Sequence, residues 1–178
     1  MKISLKDIDT SQIDNMSYLF AYDFRSDYRD IVDWDVSHVT NMNGMFKNTG
    51  FNSEVDLNGW DVSHVTSMAE MFQFTRFNGA IGSWDVSNVT DMTRMFAGST
   101  FHGDLSSWNL TSLEDSDSMF SLADAKYRLE DGRIILEEYR QEEVAAEAEQ
   151  EQDDEDYVSD LDFSYLSLFG PKPKRKAV

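Results

Sequence analysis

A thirteen-residue pattern of apolar and polar positions occurs five times between residues 8 and 120. Three copies are nearly identical, and they begin with the letters WDVS at Trp34, Trp60 and Trp84. More divergent copies begin at Ile8 and Trp108, so successive copies start 26, 26, 24 and 24 residues apart (34−8, 60−34, 84−60 and 108−84). A period in the twenties predicts a solenoid, because each unit can bury its apolar side only against its neighbours.

Apolar residues recur at fixed offsets in these units, which predicts columns of stacked side chains. One column holds every tryptophan of the chain, others hold Val or Ile and then Met, and a Met-Phe or Leu-Phe pair closes each unit. A further aromatic column consists of Tyr28, Phe51, Phe77 and Phe101. We interpret the columns as core, because units about 4.8 Å apart would bring equivalent side chains into contact.

The first and last copies depart from the pattern at polar positions. Asp14 and Glu114 replace the threonine of the central copies, and Ser116 replaces a methionine. Polar residues are expected in the end units of a solenoid, since one side of each faces water or a cap. These copies are therefore predicted to be the two ends of the stack.

The fourth copy indicates the local structure of a unit. Residues Phe77–Trp84 are short, partly alternating and contain glycine, which predicts a short strand. Residues Val89–Met92 predict a second extended piece, and residues Thr93–Phe96 predict a helical turn. The fold class predicted for residues 1–120 is thus a repeat solenoid of about five coils with short strands and helical turns.

The central copies resemble a known family. The phrase WDVSNVTDMTRMF, with FNGAIGSW leading into its tryptophan, is similar to the units of the BspA-like leucine-rich-repeat proteins. The resemblance covers residues 8–120 and implies a short, right-handed, leucine-rich-repeat-like solenoid with a strand-lined face. It also implies a non-enzymatic binding role, as in bacterial surface adhesins and in viral or phage repeat proteins.

The charge of the chain argues against several classes of partner. The formal net charge is −19, from 34 acidic and 15 basic residues. We predict no direct nucleic-acid binding by the acidic body and no membrane binding, because both need a basic surface. The chain has no cysteine, which excludes disulfides and thiolate metal sites. Its N-terminus, MKISLKDIDTSQID, lacks a secretory signal, which favours a cytoplasmic or virion-associated location over a secreted or surface one.

Polar columns offer few candidates for chemistry. One column is acidic: Asp9, Asp35, Asp61 and Asp85. It predicts repeated turn caps, with a calcium ladder as the alternative. His38 and His64 share one offset in consecutive units, so their side chains could stack within roughly 5 Å. We interpret them as part of an exposed polar column, with a contribution to a metal site as the alternative. No nucleophile has a convincing base partner and no phosphate-binding loop occurs, so we predict no enzyme, cofactor or metal site.

After Phe120 the periodicity ends, and the remainder divides into three segments. Residues 121–140 are predicted to form a C-terminal cap, either a hairpin centred on Asp131-Gly132 or a helix from about Arg133. Residues 141–162 are rich in Asp and Glu and contain no Lys or Arg, which predicts an acidic helix or linker. Residues 163–178 are predicted to be an apolar and basic docking tail.

The docking tail carries the predicted partner-binding residues. Its apolar side chains suit a groove, and its basic end suits an acidic surface or nucleic acid. The predicted residues are Phe163, Tyr165, Leu166, Leu168, Phe169, Lys172, Lys174, Arg175 and Lys176. The stretch PKPKRK also resembles a short basic nuclear-localisation signal.

Taken together, these features predict a protein–protein interaction module of unknown oligomeric state. The first hypothesis is a scaffold or virion-associated structural component that is tethered by its C-terminal tail. The second is a bacterial surface adhesin, which the repeat family suggests. The third is an acidic inhibitor that occupies the nucleic-acid-binding site of a host protein.

Overall fold

The computed structural model describes residues 4–137 except Ser26 and Asp124, and all of these belong to the unit Met1–Tyr139. Regular elements are few within this part of the chain. Two 3₁₀ turns span Leu5–Asp7 and Arg29–Ile31, and two strands span Tyr127–Glu130 (β1) and Arg133–Leu136 (β2). The fold therefore depends on how the repeats contact each other and not on long helices or strands.

Consecutive repeats are joined by a ladder of backbone hydrogen bonds. Between the second and third copies, every second amide of residues 42–48 donates to a carbonyl of residues 67–73, over 2.7–3.0 Å. A fifth bond runs the opposite way, from the amide of Thr66 to the carbonyl of Thr40 at 2.8 Å. The same five bonds recur at all four junctions between the five copies. Equivalent residues of the copies are therefore held in register.

The local structure of a unit differs from the prediction. Residues 77–84 contain no strand, and residues 93–96 form consecutive turns in place of a helical turn. These turns are closed by bonds such as Met95 N to Met92 O and Ala97 N to Arg94 O, both 3.1 Å. A chain that turns every two residues pairs with its neighbour one residue at a time, as the isolated parallel bridges of Asp91 to Ser67 and to Asp115 show. The assignment of the stack as a solenoid stays a prediction.

Aromatic rings form a continuous stack through the core. The ring centroids of Phe46 and Phe72, and of Phe72 and Phe96, are 5.8 Å apart and nearly parallel. Each ring also stacks on the aromatic residue that follows it in its own unit, as Phe72 does on Phe77 at 4.4 Å. The methionines of the central copies are fully buried, and so are the phenylalanines of the two stacked columns: Phe46, Phe51, Phe72, Phe77, Phe96 and Phe101. Burial of these columns is the main stabilising contribution to the stack.

Each tryptophan ties its unit to the preceding one. The indole Nε1 of Trp84 donates to the carbonyl of Leu57 over 3.0 Å, and both tryptophan and leucine are buried. The four bonds are Trp34–Leu5, Trp60–Ile31, Trp84–Leu57 and Trp108–Ile81. A buried indole needs such a partner, so the tryptophan column adds a directed bond to each junction.

The aromatic stack is capped at both ends. At the first copy, the Arg25 guanidinium lies 4.8 Å from the ring centroid of Phe20 and pairs with Asp23 at 2.6 Å. At the fifth copy, Tyr127 stacks on Phe120 at 4.1 Å and donates its hydroxyl to the carbonyl of Gly103. Burial raises the pKa of the Tyr127 phenol, as expected of a core residue. Tyr127 is therefore a fifth member of the aromatic column, in addition to the four residues that the sequence predicts for it.

The described part of residues 121–140 contains a hairpin. β1 and β2 pair antiparallel, and Asp131 and Gly132 form the turn with φ angles of 50° and 72°, as a type I′ turn requires. Ile134, which is 2% exposed, anchors the hairpin to the core. β2 occupies the residues with which the alternative helix would begin.

We expect the tryptophan bond to contribute measurably to stability. Trp84→Phe keeps a ring in the column but removes the indole bond, so that the buried carbonyl of Leu57 keeps only the backbone amide of Trp60 as a donor. The loss of this bond should lower the free energy of unfolding by about 0.5–1.5 kcal/mol. Urea denaturation followed by circular dichroism measures this. Tyr22→Phe, which removes an exposed hydroxyl, is the control and should change stability by less than about 0.5 kcal/mol. Equal effects of the two substitutions would contradict the role of the bond.

Candidate interaction surface

One side of the stack is lined by residues with a left-handed backbone. Each unit has two such positions, four residues apart, within the turns that form the ladder. Their φ angles lie between 53° and 63°. We call the surface formed by these ten residues the turn face: Tyr18, Tyr22, Gly44, Asn48, Glu70, Phe74, Arg94, Gly98, Ser118 and Leu122.

The residue types on the turn face are unusual for left-handed positions. Glycine adopts this conformation freely and asparagine tolerates it, whereas other side chains cost about 1–2 kcal/mol each. Only Gly44, Asn48 and Gly98 fit that preference, and the others include two tyrosines, a phenylalanine and a leucine. Backbone strain that a protein retains is often connected with function. The large side chains therefore make this surface the leading candidate for a binding site.

Tyr18, Lys47 and Glu70 connect three consecutive units across the turn face. The ring of Tyr18 lies over Gly44, where a Cβ would come within 2.3 Å of the ring. The Tyr18 hydroxyl donates to Oε2 of Glu70 over 3.4 Å, and Nζ of Lys47 pairs with the same oxygen at 2.7 Å. The Lys47 and Glu70 side chains are each 19% exposed. Partial shielding from water makes such a pair stronger than one on an open surface.

Phe74 repeats the ring-over-glycine packing two units further along. A Cβ at Gly98 would lie 2.4 Å from the Phe74 ring, so only glycine leaves room for it. Despite this contact Phe74 is 37% exposed, and the exposed fractions of Tyr18, Tyr22 and Leu122 are 52%, 55% and 85%. The turn face thus presents aromatic and aliphatic side chains to solvent around a shielded ion pair. Such side chains contribute most of the binding energy in protein interfaces.

The sequence-predicted partner-binding residues of the tail, from Phe163 to Lys176, lie outside the described residues, as does the acidic segment 141–162. The turn face was not predicted, because its two columns combine aromatic, charged and small residues with no common type. Gly44, Asn48 and Gly98 are the sequence signal, since they stand at the left-handed offsets.

The acidic column forms turns. Each of its aspartates accepts a hydrogen bond from the amide of the serine two residues later, over 3.0–3.1 Å. Hydrogen bonds from these serines lower the pKa of the aspartates, while desolvation opposes the shift at all four, and a neighbouring aspartate of the column also opposes it at Asp9, Asp61 and Asp85. No group of three or more His, Asp or Glu side chains that could hold a metal ion occurs within the described part of the chain.

His38 and His64 each contact the serine that precedes them. Their Nδ1 atoms lie 3.0 and 3.3 Å from the hydroxyls of Ser37 and Ser63. The hydroxyls of these two serines also donate to Asp35 and Asp61, so each imidazole adjoins one turn of the acidic column. The predicted stacking of the two rings stays a prediction.

Comparison with known proteins assigns the repeats to a family. The profile described as "Mycoplasma protein of unknown function, DUF285" matches residues 1–76 and again residues 51–131. The chain belongs to the DUF285 family. DUF285 is related to the BspA-like repeat proteins in general, so the resemblance of the central copies is confirmed at that level. No curated protein and no solved structure matches the chain.

The two DUF285 matches together include all five repeat copies and β1. The turn face therefore lies entirely within the part of the chain that defines the family. Among the described residues, no helix is long and apolar enough to cross a bilayer. The DUF285 family has no known function, so its assignment gives the turn face no role.

The ring-over-glycine contact can be tested with a double-mutant cycle. Gly44→Ala should lower the free energy of unfolding for two reasons. The left-handed backbone alone costs about 1–2 kcal/mol, and the displacement of the Tyr18 ring adds a further cost. In a Tyr18→Ala background only the backbone cost should remain, which gives a coupling of about 0.5–3 kcal/mol. Gly59→Ala is the control, since a Cβ there meets no atom within 4 Å. Additive effects would refute the contact.

The acidic column predicts a pH-dependent contribution to stability. The bonds from Ser63 lower the pKa of Asp61 below its ordinary value of 3.8. The contribution of Asp61 to stability is therefore complete above pH 3.8 and is lost as the pH falls through the lower folded pKa. Asp61→Asn keeps a turn acceptor, as Asn109 does for Thr111, but cannot ionise. The wild type should be more stable by a few tenths of a kcal/mol at pH 7, because exposed charges interact weakly.

Urea unfolding at pH 7, at pH 4 and in strong acid measures this difference. Protonation of the other carboxylates affects both proteins alike, so only the difference between them is interpreted. The difference should disappear in acid. A difference that is independent of pH would show that the charge of Asp61 makes no contribution.

Proposed function

We propose that this DUF285 protein is a non-enzymatic protein–protein interaction module, built as a short leucine-rich-repeat-like solenoid whose turn face binds a protein partner. One observation carries the proposal: large aromatic side chains occupy strained, exposed positions in the turns. These side chains are not needed to close the ladder, because Gly44 and Gly98 close the same turns without them. A partner that covers the rings would account for their retention.

Within this class, we propose a scaffold or a virion-associated structural component, in the cytoplasm or in a virion, with the C-terminal tail as its tether. Two features support this. The apolar and basic residues of the tail have the composition of a docking peptide, and the net charge of −19 disfavours nucleic acid and anionic membranes as partners of the body. The turn face and the tail would then bind separate partners, or separate sites on one partner.

A surface adhesin is the second candidate. The observation that favours it is the general relation between DUF285 and the BspA-like repeat proteins, whose resemblance to the central copies implies a role as in bacterial surface adhesins. The finer assignment of the chain to the BspA-like leucine-rich-repeat proteins belongs to this proposal. Detection of the chain on intact cells by surface labelling would support the adhesin, and exclusive recovery from the soluble fraction would count against it.

The scaffold proposal is tested by quantitative affinity capture from native lysate. The full chain is compared with the variant Tyr22→Ala/Phe74→Ala, in which two exposed rings of the turn face are removed. Capture of a true partner should fall at least about tenfold, since interface aromatics contribute 2 kcal/mol or more when buried. The captured protein is then purified and its affinity for both chains measured directly.

The matched control is Ile135→Ala/Leu136→Ala on β2, where two apolar side chains of similar exposure, 37% and 42%, are removed away from the turn face. This control should retain full binding. A chain without residues 163–178 separates the tether from the turn face. Binding that is insensitive to the turn-face variant would overturn the proposal, whatever the effect of the tail deletion.

A further inference from the structure

The ladder of the repeats leaves a row of unpaired backbone groups at each end. In the fifth copy, the amides that correspond to the donors of the fourth copy have no partner among the described residues. They are the amides of Ser116, Ser118, Phe120 and Leu122. In the first copy, the carbonyls that correspond to the acceptors of the second copy are likewise unpaired within the described chain. They are the carbonyls of Asn15, Ser17, Leu19 and Ala21.

These two rows are complementary. At each of the four junctions, the same donors of one copy bond to the same acceptors of the next, with the same spacing of two residues. The fifth copy presents the donor row and the first copy presents the acceptor row. Because exposed rows of this kind pair readily with another chain, the ends of the stack are potential sites of association.

Apolar side chains accompany both rows. Leu19, at the first copy, is 48% exposed although its counterparts Met45 and Met71 are fully buried by a preceding unit. Leu122, at the fifth copy, is 85% exposed. It lines an open groove of about 620 Å³ between the last turns and the hairpin, together with Met119 and Phe120. Tyr127 of the hairpin packs on Phe120 at this end, while the described part of the hairpin makes no backbone hydrogen bond to the donor row.

We propose that a second copy of this chain docks its first repeat on the fifth repeat, so that the ladder continues from one molecule into the next. The inter-repeat junction is the established interface that this contact extends. In the register of this contact, Leu19 of one molecule lies next to Met119 of the other, as equivalent residues of consecutive copies do within one chain. Tyr22 lies next to Leu122 in the same way. This goes beyond the proposed function, because it names a second copy as the occupant of the ends.

The contact is heterologous, because it joins two different surfaces. Each molecule that docks therefore exposes a new free end. The association is open-ended unless the docked molecules close into a cyclic oligomer. Because Arg25 and the hairpin cap the aromatic side of the two ends, only the ladder half of each terminal unit meets its partner. The contact is therefore weak, in the range of transient interfaces. It forms at high local concentration and not in dilute solution.

Charge opposes the contact in a way that can be measured. The register places Asp14 of one molecule beside Glu114 of the other, and each chain carries a net charge of −19. Salt screens repulsion between exposed charges, so association should strengthen as the salt concentration is raised to about 0.5 M. A contact held by surface ion pairs would show the opposite dependence.

The test uses the full chain and two variants, each blocked at one end. Leu19→Glu places a charge beside the acceptor row, and Leu122→Glu places one beside the donor row. Sedimentation equilibrium should show association of the wild type above the 20.5 kDa of one chain, increasing with concentration and salt. Each variant alone should be monomeric. An equimolar mixture should form a dimer and nothing larger, because each variant still has one intact end.

A dimer of the mixed variants also proves that both are folded. Val32→Glu is the control, since Val32 is 41% exposed and lies outside both rows, and it should associate like the wild type.

Association of either end variant alone would overturn the proposal. A wild type that is monomeric at every concentration and salt would also overturn it. Slow hydrogen exchange of the Ser118 and Phe120 backbone amides in that monomer would mean that another segment covers the donor row. Partner capture by the turn face is measured separately, so failure of one proposal is distinguishable from failure of the other.

Discussion

The structure depends on one constraint, which is that every second amide in the closing half of a repeat points along the stack towards the next repeat. A strand would satisfy this with alternating extended residues, but here the chain turns every two residues. Such turns need a left-handed residue at every fourth position. The same geometry then decides which side chains enter the core, which face the turns, and which groups remain unpaired at the ends.

Core and turn face respond differently to this constraint. Core positions must match from copy to copy, because Phe46, Phe72 and Phe96 stack on one another at 5.8 Å and a smaller ring would leave a cavity. The left-handed positions need only a residue that tolerates the backbone, and the strain of a large side chain is compensated by the rest of the junction. Side chains on the turn face are therefore free to differ between copies, and chemical specificity can reside there without affecting the stack.

The core columns could be predicted because burial repeats with the sequence, and the Asp131-Gly132 turn could be predicted because its dipeptide favours one turn type. The turns within a unit could not, since short apolar runs do not distinguish a strand from consecutive turns. Tyr127 was missed because it lies after Phe120, where the periodicity ends and no further copy follows to reveal its offset. The turn face was missed because a left-handed backbone is recognisable in sequence only where glycine or asparagine adopts it.

At both ends of the stack, the aromatic side and the ladder side are closed in physically different ways. On the aromatic side, Arg25 and the hairpin occupy the space next to the terminal rings. On the ladder side, the exposed carboxylates of Asp14 and Glu114 are the charges that would meet, and their repulsion weakens as salt is added. Edges in other sheet proteins are often protected by charge in this manner. The steric caps close only the aromatic side, whereas the charges on the ladder side set the conditions under which the proposed end-to-end contact forms. The polar substitutions in the end copies are therefore better understood as controlling end-to-end contact than as simply facing water.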